Sequence, residues 1–215
     1  VSYDDYSMVY VAANDGMLHA FRLGLIKEVY SASRVVKLCQ SRNDCSYEKL
    51  GREEWAFIPK DVMPYLRFQA EPDYSHMYVH DLKPFVVEYE DNDGHMKKVL
   101  IGGMRLGGGT ENGNINPPSD TDPVGRSGYY ALDITDPQNP QYLWSFSPDG
   151  MGFSYSGPAY VKRKDENGDW KRYLMFASGP TGYDGTSIQN LEIYTVDMAG
   201  GPGVYNSTFG EDRKS

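Results

Sequence analysis

Several protein classes require features that this chain of 215 residues has little of. No apolar run approaches the roughly 20 residues that a membrane-spanning helix needs, which argues against a span in this sequence. The Lys and Arg residues are scattered and the net charge is −9, which argues against a nucleic-acid partner, because phosphate binding needs clustered cations. The first residue is Val1 rather than Met, so we expect a processed or partial form of a longer protein.

Cysteine is also scarce, since only Cys39 and Cys45 occur, with the polar residues QSRND between them. This spacing does not match a CxxC redox or zinc pair, and no histidine lies near enough in sequence to complete a metal set. A disulfide between Cys39 and Cys45 across a polar loop is the favoured interpretation, and it predicts an oxidising compartment. Two free thiols are the alternative.

What the sequence does contain is a pattern of short strands and tight turns. The segment VYVAANDGMLHAF (residues 9–21) predicts a β-hairpin, in which Asn14-Asp15-Gly16 supplies a turn that tolerates positive φ. The turns DNDG (91–94) and DENG (165–168) predict two further hairpins. An isolated hairpin is at best marginally stable in water, so these hairpins must belong to larger sheets.

Alternation of apolar residues between turn residues predicts eleven short strands. They are expected at residues 8–13, 18–22, 55–58, 77–80, 85–90, 97–102, 128–134, 141–146, 159–164, 171–177 and 191–197. One short helix is predicted at 61–68, where Asp61 can cap the first turn and Pro64 falls early enough to be tolerated.

This order of elements predicts an all-β fold that is a partial β-propeller. The segments SGYYALDITDP (127–137) and NLEIYTVDMAGG (190–201) repeat one strand–turn pattern. Because a blade has about four strands and a closed propeller about four to eight blades, eleven strands make not quite three blades, and the ring cannot close from this chain alone. We expect a single domain over residues 1–215, with polar insertions at about 27–54 and 107–126.

No catalytic, cofactor or metal site is predicted. The segment GGMRLGGG (102–109) lacks the Lys-Ser/Thr pair of a phosphate-binding loop, which favours a structural bend. His76 and His80 would share one face of a strand, yet no third ligand accompanies them, so we interpret both as ordinary strand histidines. The DNDG turn begins like a calcium loop but continues with HMKK, which favours a plain hairpin and leaves metal binding as the alternative.

Six segments resemble, in order, motifs of the PilY/PilC family of type IV pilus tip adhesins and assembly factors. They are VYVAANDGMLHAF, WAFIP (55–59), HMYVHDLKP (76–84), VLIGGMRLGGG (99–109), YYALDITDP (129–137) and LWSF (143–146). The resemblance covers roughly residues 8–201. It implies the modified β-propeller of that family's C-terminal domain, which is similar to quinoprotein alcohol dehydrogenases.

The resemblance implies a secreted, non-enzymatic protein at the pilus tip or outer cell surface that supports pilus biogenesis and attachment. Its implied partners are minor pilins or other pilus-tip subunits, together with a further chain that completes the propeller. The family commonly carries an Asp/Asn-rich calcium loop; no copy is found here, so no cofactor is predicted and calcium rests on the resemblance alone. The alternative is a fragment of a quinone-dependent dehydrogenase, which needs a quinone-stacking tryptophan, whereas Trp55, Trp144 and Trp170 are better explained as strand residues.

Overall fold

The computed structural model describes residues 7–30, 35–39, 43–44, 50–109, 126–198 and 201–209. These residues contain thirteen strands, and every pairing between them is antiparallel. The strands are β1 (Met8–Ala12), β2 (Leu18–Arg22), β3 (Leu25–Tyr30), β4 (Val35–Cys39), β5 (Glu53–Phe57), β6 (Phe85–Glu90), β7 (Met96–Gly103), β8 (Tyr129–Asp133), β9 (Gln141–Phe146), β10 (Ala159–Lys164), β11 (Trp170–Ala177), β12 (Leu191–Asp197) and β13 (Gly201–Phe209).

The strands form three larger sheets and one separate hairpin. Sheet I has the order β1-β2-β5, sheet II β6-β7-β8-β9 and sheet III β10-β11-β12-β13, while β3 pairs only with β4. In sheets II and III the order in space equals the order along the chain, which is the meander of a propeller blade. The predicted all-β class is confirmed. The described sheets do not close into a ring, so the propeller itself stays a prediction.

Sheet II lies between the other two sheets because its central strands are apolar on both faces. In β7, Leu100 packs in one cluster with Leu18 of sheet I, whereas Val99 and Ile101 pack in another with Leu174 of sheet III. All five side chains are buried. Since successive residues of a strand face opposite sides, a strand covered on both faces has a continuous apolar run rather than an alternating one.

Two tryptophans connect neighbouring sheets in the same way. Trp55 of β5 donates its indole N–H to the carbonyl of Pro137, which follows β8 (2.8 Å). Trp144 of β9 donates to the carbonyl of Met198, which follows β12 (3.3 Å). Both stand opposite an alanine of the adjacent strand. Sheets I and II therefore each present an indole from their last strand to the turn after the third strand of the next sheet. Trp170 begins β11, so all three tryptophans are strand residues, as predicted.

A 3₁₀ helix (Lys60–Tyr65) followed by one turn of α-helix, α1 (Leu66–Gln69), stands where the short helix was predicted. The residue before the 3₁₀ helix is Pro59 and no side chain caps it, so the predicted capping by Asp61 is wrong. No helix in the described part of the chain is long and apolar enough to cross a membrane. The buried side chains here form a third apolar cluster: Val62, Tyr65, Phe68, Met77, Val79 and Met104.

Ten of the eleven predicted strands occur within one or two residues of their expected bounds, and the one at 77–80 is wrong. Met77 and Val79 are buried, so their alternation has the period of a strand. The backbone there is a connector instead, because the Val79 N–H donates to the side-chain oxygen of Asn14 (3.0 Å) rather than to a neighbouring strand. Asn14 lies in the β1–β2 turn, which Gly16 closes with a φ of 94°.

Three strands were not predicted. β3 and β4 overlap the segment 27–54 that was interpreted as a polar insertion, because lysine and glutamate interrupt their apolar alternation. β13 begins Gly-Pro-Gly, a combination typical of turns. The second predicted insertion, 107–126, lies largely outside the described residues, since only its ends at 107–109 and 126 are described.

Candidate functional site

The only site pair predicted from the sequence was the disulfide between Cys39 and Cys45. Cys39 ends β4 and is fully buried. Cys45 lies outside the described residues, so the pairing stays a prediction.

His76 and His80 lie in the connector before β6, so the prediction that both are strand residues is wrong. His76 is exposed and packs edge-on against Tyr78, with 5.7 Å between the ring centroids. His80 is 1% exposed, and its Nε2 lies 2.9 Å from the hydroxyl of Tyr130 in β8. Burial lowers the pKa of His80 to about 4, so the ring is neutral near pH 7. The two histidines form no shared site.

The β6–β7 turn brings together Asp91, Asp93 and His95, each with one potential metal-ligand atom within 4.8 Å of the others, and no second such group occurs among the described residues. One oxygen of Asp91 accepts the backbone N–H groups of His95 (2.8 Å) and Asp93 (3.0 Å), and these bonds lower the pKa of the Asp91 carboxyl. Asp165 makes the same two bonds in the β10–β11 turn. The carboxylates therefore serve as turn residues, and both predicted hairpins are confirmed; metal binding stays untested.

The glycine-rich segment after β7 is a bend, as predicted. A Cβ at Gly107 would lie 2.0 Å from the Val79 carbonyl oxygen, so the two segments approach as closely as they do only because residue 107 is glycine. Arg105 has a φ of 53°, unlike any other non-glycine residue in the described ranges. Its guanidinium lies 3.3 Å from the carboxylate of Asp81 and 4.9 Å from the ring centre of Tyr155. The bend thus joins the connectors on either side of sheet II.

A histidine between two carboxylates was not singled out from the sequence. His19 in β2 lies 2.7 Å from Glu53 of β5 through Nδ1 and 2.8 Å from Asp15 through Nε2. Only a protonated ring donates from both nitrogens. These contacts raise the pKa of His19, the hydrogen bond to Glu53 being the largest cause. The four-residue separation of Asp15 and His19 across the predicted hairpin is the signal that could have indicated it.

One face of sheet III is open in the described residues. On sheet II the corresponding face is covered by sheet III and contributes to the core. On sheet III it forms an open cavity of about 370 Å³ together with Arg163. Strand pairing aligns Val161, Tyr173, Met175 and Thr195 of sheet III with Val87, Val99, Ile101 and Ala131 of sheet II. Among the described residues, nothing covers on sheet III the surface that sheet II uses to bind a neighbouring sheet.

The edge of sheet III beside this face is unusually basic. β10 is exposed at every position and pairs Arg163 with Lys171 and Lys162 with Arg172. Like charges directly opposite each other are unfavourable in a sheet. Positive charges on an edge strand also discourage pairing with an unrelated edge. The basic residues of β10 therefore disfavour the pairing of an unrelated strand with this edge of sheet III.

Sheet I has an unpaired edge at β1 among the described residues. Strand pairing makes β1 the counterpart of β7, yet no described strand lies beyond β1 where β6 lies beyond β7. Val9 and Val11 on β1 are 39% and 42% exposed. Within the described residues, β1 is therefore an unpaired edge of sheet I.

Comparison with known proteins finds relatives among type IV pilus biogenesis factors. The chain is 26% identical over 197 residues to a protein named type IV pilus biogenesis factor PilY1 homolog from Xylella fastidiosa, covering 90% of this chain and 12% of that protein. A second such homolog from the same organism is 28% identical over 199 residues. The type IV pilus biogenesis factor PilY1 of Pseudomonas aeruginosa PAO1 is 29% identical over 168 residues, which cover 75% of this chain and 10% of that protein.

No family model and no solved structure matches the chain. It spans only about a tenth of the length of the curated relatives, with coverages of 12%, 10% and 10%. The resemblance inferred from the six motifs is nevertheless confirmed: over most of its length, this chain is similar to a segment of the type IV pilus biogenesis factors named PilY1.

Proposed function

We propose that this chain is a non-enzymatic module of a type IV pilus biogenesis factor, and that it works by holding partner surfaces at the pilus tip or outer cell surface. The observation that carries the proposal is the similarity to PilY1 proteins over 75–90% of the chain. Three of the titratable groups with a shifted pKa support it, because they serve the fold. His80 is buried against Tyr130, and Asp91 and Asp165 organise turns.

The proposal also explains the unpaired edge of sheet I and the open face of sheet III. Sheets I to III are blades of a β-propeller that further sheets complete, and minor pilins or other pilus-tip subunits are the partners of the assembled module. The blade-like meanders of sheets II and III, the repeated indole contacts and the uncovered face of sheet III support this. An apolar sheet face of this kind is a favourable docking surface because covering it removes apolar area from water.

Point variants in the native gene test both parts. Met175→Glu places a charge in the open face of sheet III, whereas Met96→Glu changes a methionine that is 54% exposed outside that face. We expect Met175→Glu and an in-frame deletion of the coding segment each to abolish surface pili and twitching motility, and Met96→Glu to leave both unchanged. Sheared pili are counted by electron microscopy. Normal piliation in the deletion strain would contradict the pilus role.

Non-enzymatic action has its own test. Purified protein is incubated with pyrroloquinoline quinone and calcium, and then assayed for cofactor absorbance and for alcohol-dependent dye reduction. We expect neither signal. Dye reduction that needs both the protein and the quinone would overturn the proposal in favour of a dehydrogenase.

A further inference from the structure

A groove occupies the end of sheet III at which β11 connects to β12. It has a volume of about 640 Å³ and is bounded by the loop between these strands and by the end of the β9–β10 connection. The two segments are fastened together, since the Phe153 N–H donates to the Pro180 carbonyl (2.9 Å) and the Gly179 N–H to the Met151 carbonyl (2.8 Å). A Cβ at Gly179 would lie 1.9 Å from the Phe153 carbonyl oxygen, so glycine allows this close contact. The groove is therefore a built feature of the fold.

The lining of the groove carries no charge near neutral pH. Its residues are serine, glycine, tyrosine, proline, glutamine, asparagine and leucine, although 24% of the chain is Asp, Glu, Lys or Arg. Burial raises the pKa of the Tyr183 phenol to about 12, which keeps it neutral as well. Among the lining residues, phosphates, metal ions and charged peptides would find no side chain of opposite charge. The chemistry of the groove selects for a neutral ligand.

Two tyrosines that line the groove each pack against a side chain that lies outside it. Tyr155 is 41% exposed and lies under the guanidinium of Arg105, which does not line the groove (4.9 Å). Tyr183 is 45% exposed and packs on the fully buried Phe153, with 4.9 Å between the ring centroids. Because these supports restrict the rings before anything binds, a ligand that stacks on them loses little further side-chain entropy.

Polar groups at the groove are available for hydrogen bonds. Within the described residues, the hydroxyls of Tyr155 and Tyr183 and the side-chain amide of Asn190 have no hydrogen-bond partner. The amide offers a donor and an acceptor side by side, and each phenol offers both. Flat apolar rings flanked by neutral donors and acceptors match a sugar ring, whose C–H faces are apolar and whose edge carries hydroxyls.

We propose that this groove binds a neutral oligosaccharide, with Tyr155 and Tyr183 as stacking platforms and Asn190 as a hydrogen-bonding partner of adjacent hydroxyls. The site is separate from the open face of sheet III and does not depend on the pilus assignment. A proline-rich peptide is the competing neutral ligand, since it also packs on tyrosines. Such a peptide would make fewer hydrogen bonds to the side-chain amide of Asn190 than a sugar does, because proline has no N–H to donate.

The full chain is first screened on an array that carries neutral, sialylated and sulfated glycans together with decaproline, and the best neutral oligosaccharide is then titrated by calorimetry. We expect neutral glycans alone to bind, with a Kd between about 10 μM and 1 mM. Tyr183→Ala and Tyr155→Ala should each weaken binding at least about tenfold, which corresponds to about 1.4 kcal/mol. Asn190→Ala should weaken it about fivefold.

Tyr142→Ala is the matched control, because Tyr142 is 53% exposed on β9 and does not line the groove. It should bind the glycan as the unaltered chain does, and circular dichroism should show every variant folded. The proposal is overturned if no neutral glycan binds, if decaproline binds and is displaced by no sugar, or if Tyr183→Ala leaves the affinity unchanged.

Discussion

Replacing His80 by glutamine should remove most of the loss of stability on mild acidification. His80 is 1% exposed, and its Nε2 lies 2.9 Å from the Tyr130 hydroxyl at the contact between sheets I and II. Burial lowers the pKa of His80 to about 4, an effect to which nearby His19 adds and which Asp15 partly offsets. Protonating the ring in place would put a charge in the core that the Met17 backbone and Asp15 only partly compensate.

The magnitude follows from the difference in pKa between the folded and unfolded chains. A histidine with a pKa near 6.5 unfolded and about 4 folded contributes its full stability above pH 6.5 and loses it as the pH falls towards 4. Between pH 7 and 4.5, the free energy of unfolding should fall by about 2 to 3 kcal/mol on this account. The carboxyls with lowered pKa, such as Asp91 and Asp165, titrate below this window.

Urea unfolding followed by tryptophan fluorescence at half-unit steps from pH 4.5 to 7.5 measures the effect. Glutamine retains an amide that can bond the Tyr130 hydroxyl, so His80→Gln should show a nearly flat profile between pH 4.5 and 6.5. His76→Gln is the control, because His76 is exposed and should leave the slope unchanged. A slope in His80→Gln equal to that of the unaltered chain would refute the assignment of the acid loss to this buried ring.

Three further substitutions test separate contacts. Trp144→Phe removes the donor to the buried Met198 carbonyl and should lower the free energy of unfolding by about 1 to 3 kcal/mol in urea; a change below about 0.5 kcal/mol would contradict the inter-sheet role. The pKa of His19 is raised in the folded chain, so the stabilisation by the protonated ring is present below pH 6.5 and is lost as the pH rises through the folded pKa. His19→Gln should therefore remove the decline in melting temperature that accompanies this rise in pH. An unchanged decline would contradict the assignment to His19. Arg163→Glu gives Lys171 an opposite charge across the strands and should raise the free energy of unfolding by about 0.2 to 1 kcal/mol. A decrease would contradict this expectation and would show that the contact of Arg163 with the Tyr173 ring outweighs the like-charge repulsion.

The sequence was informative where local chemistry decides the structure. Asn14-Asp15-Gly16 and the two Asp-initiated turns at 91 and 165 determine their own hairpins, and all three are present. The prediction of a strand at 77–80 is wrong because the alternation of apolar residues reports which side chains are buried and not which backbone groups pair. There the Val79 N–H bonds to the side chain of Asn14, a partner 65 residues away that no local pattern indicates.

The candidate site was less predictable for the same reason. Tyr155 and Tyr183 stand in separate connections, and only the fold brings them to one groove. Whether a face of sheet III is open depends on which sheets are present, a property that the strand pattern of β10 and β11 does not encode. The family resemblance, by contrast, depends on residues close together in sequence, which is why six short motifs were enough to find it.

The register of β13 links the open face of sheet III to the contacts between the sheets that are already paired. Tyr205 pairs with Thr195, the position at which Trp55 and Trp144 pair with alanines in sheets I and II. An aromatic residue therefore recurs at one register position of all three last strands. In the first two sheets its indole is bound by the turn of the next sheet. Sheet III repeats both parts of that arrangement, the apolar face and the aromatic position, which supports the proposal that another sheet of the same kind covers it.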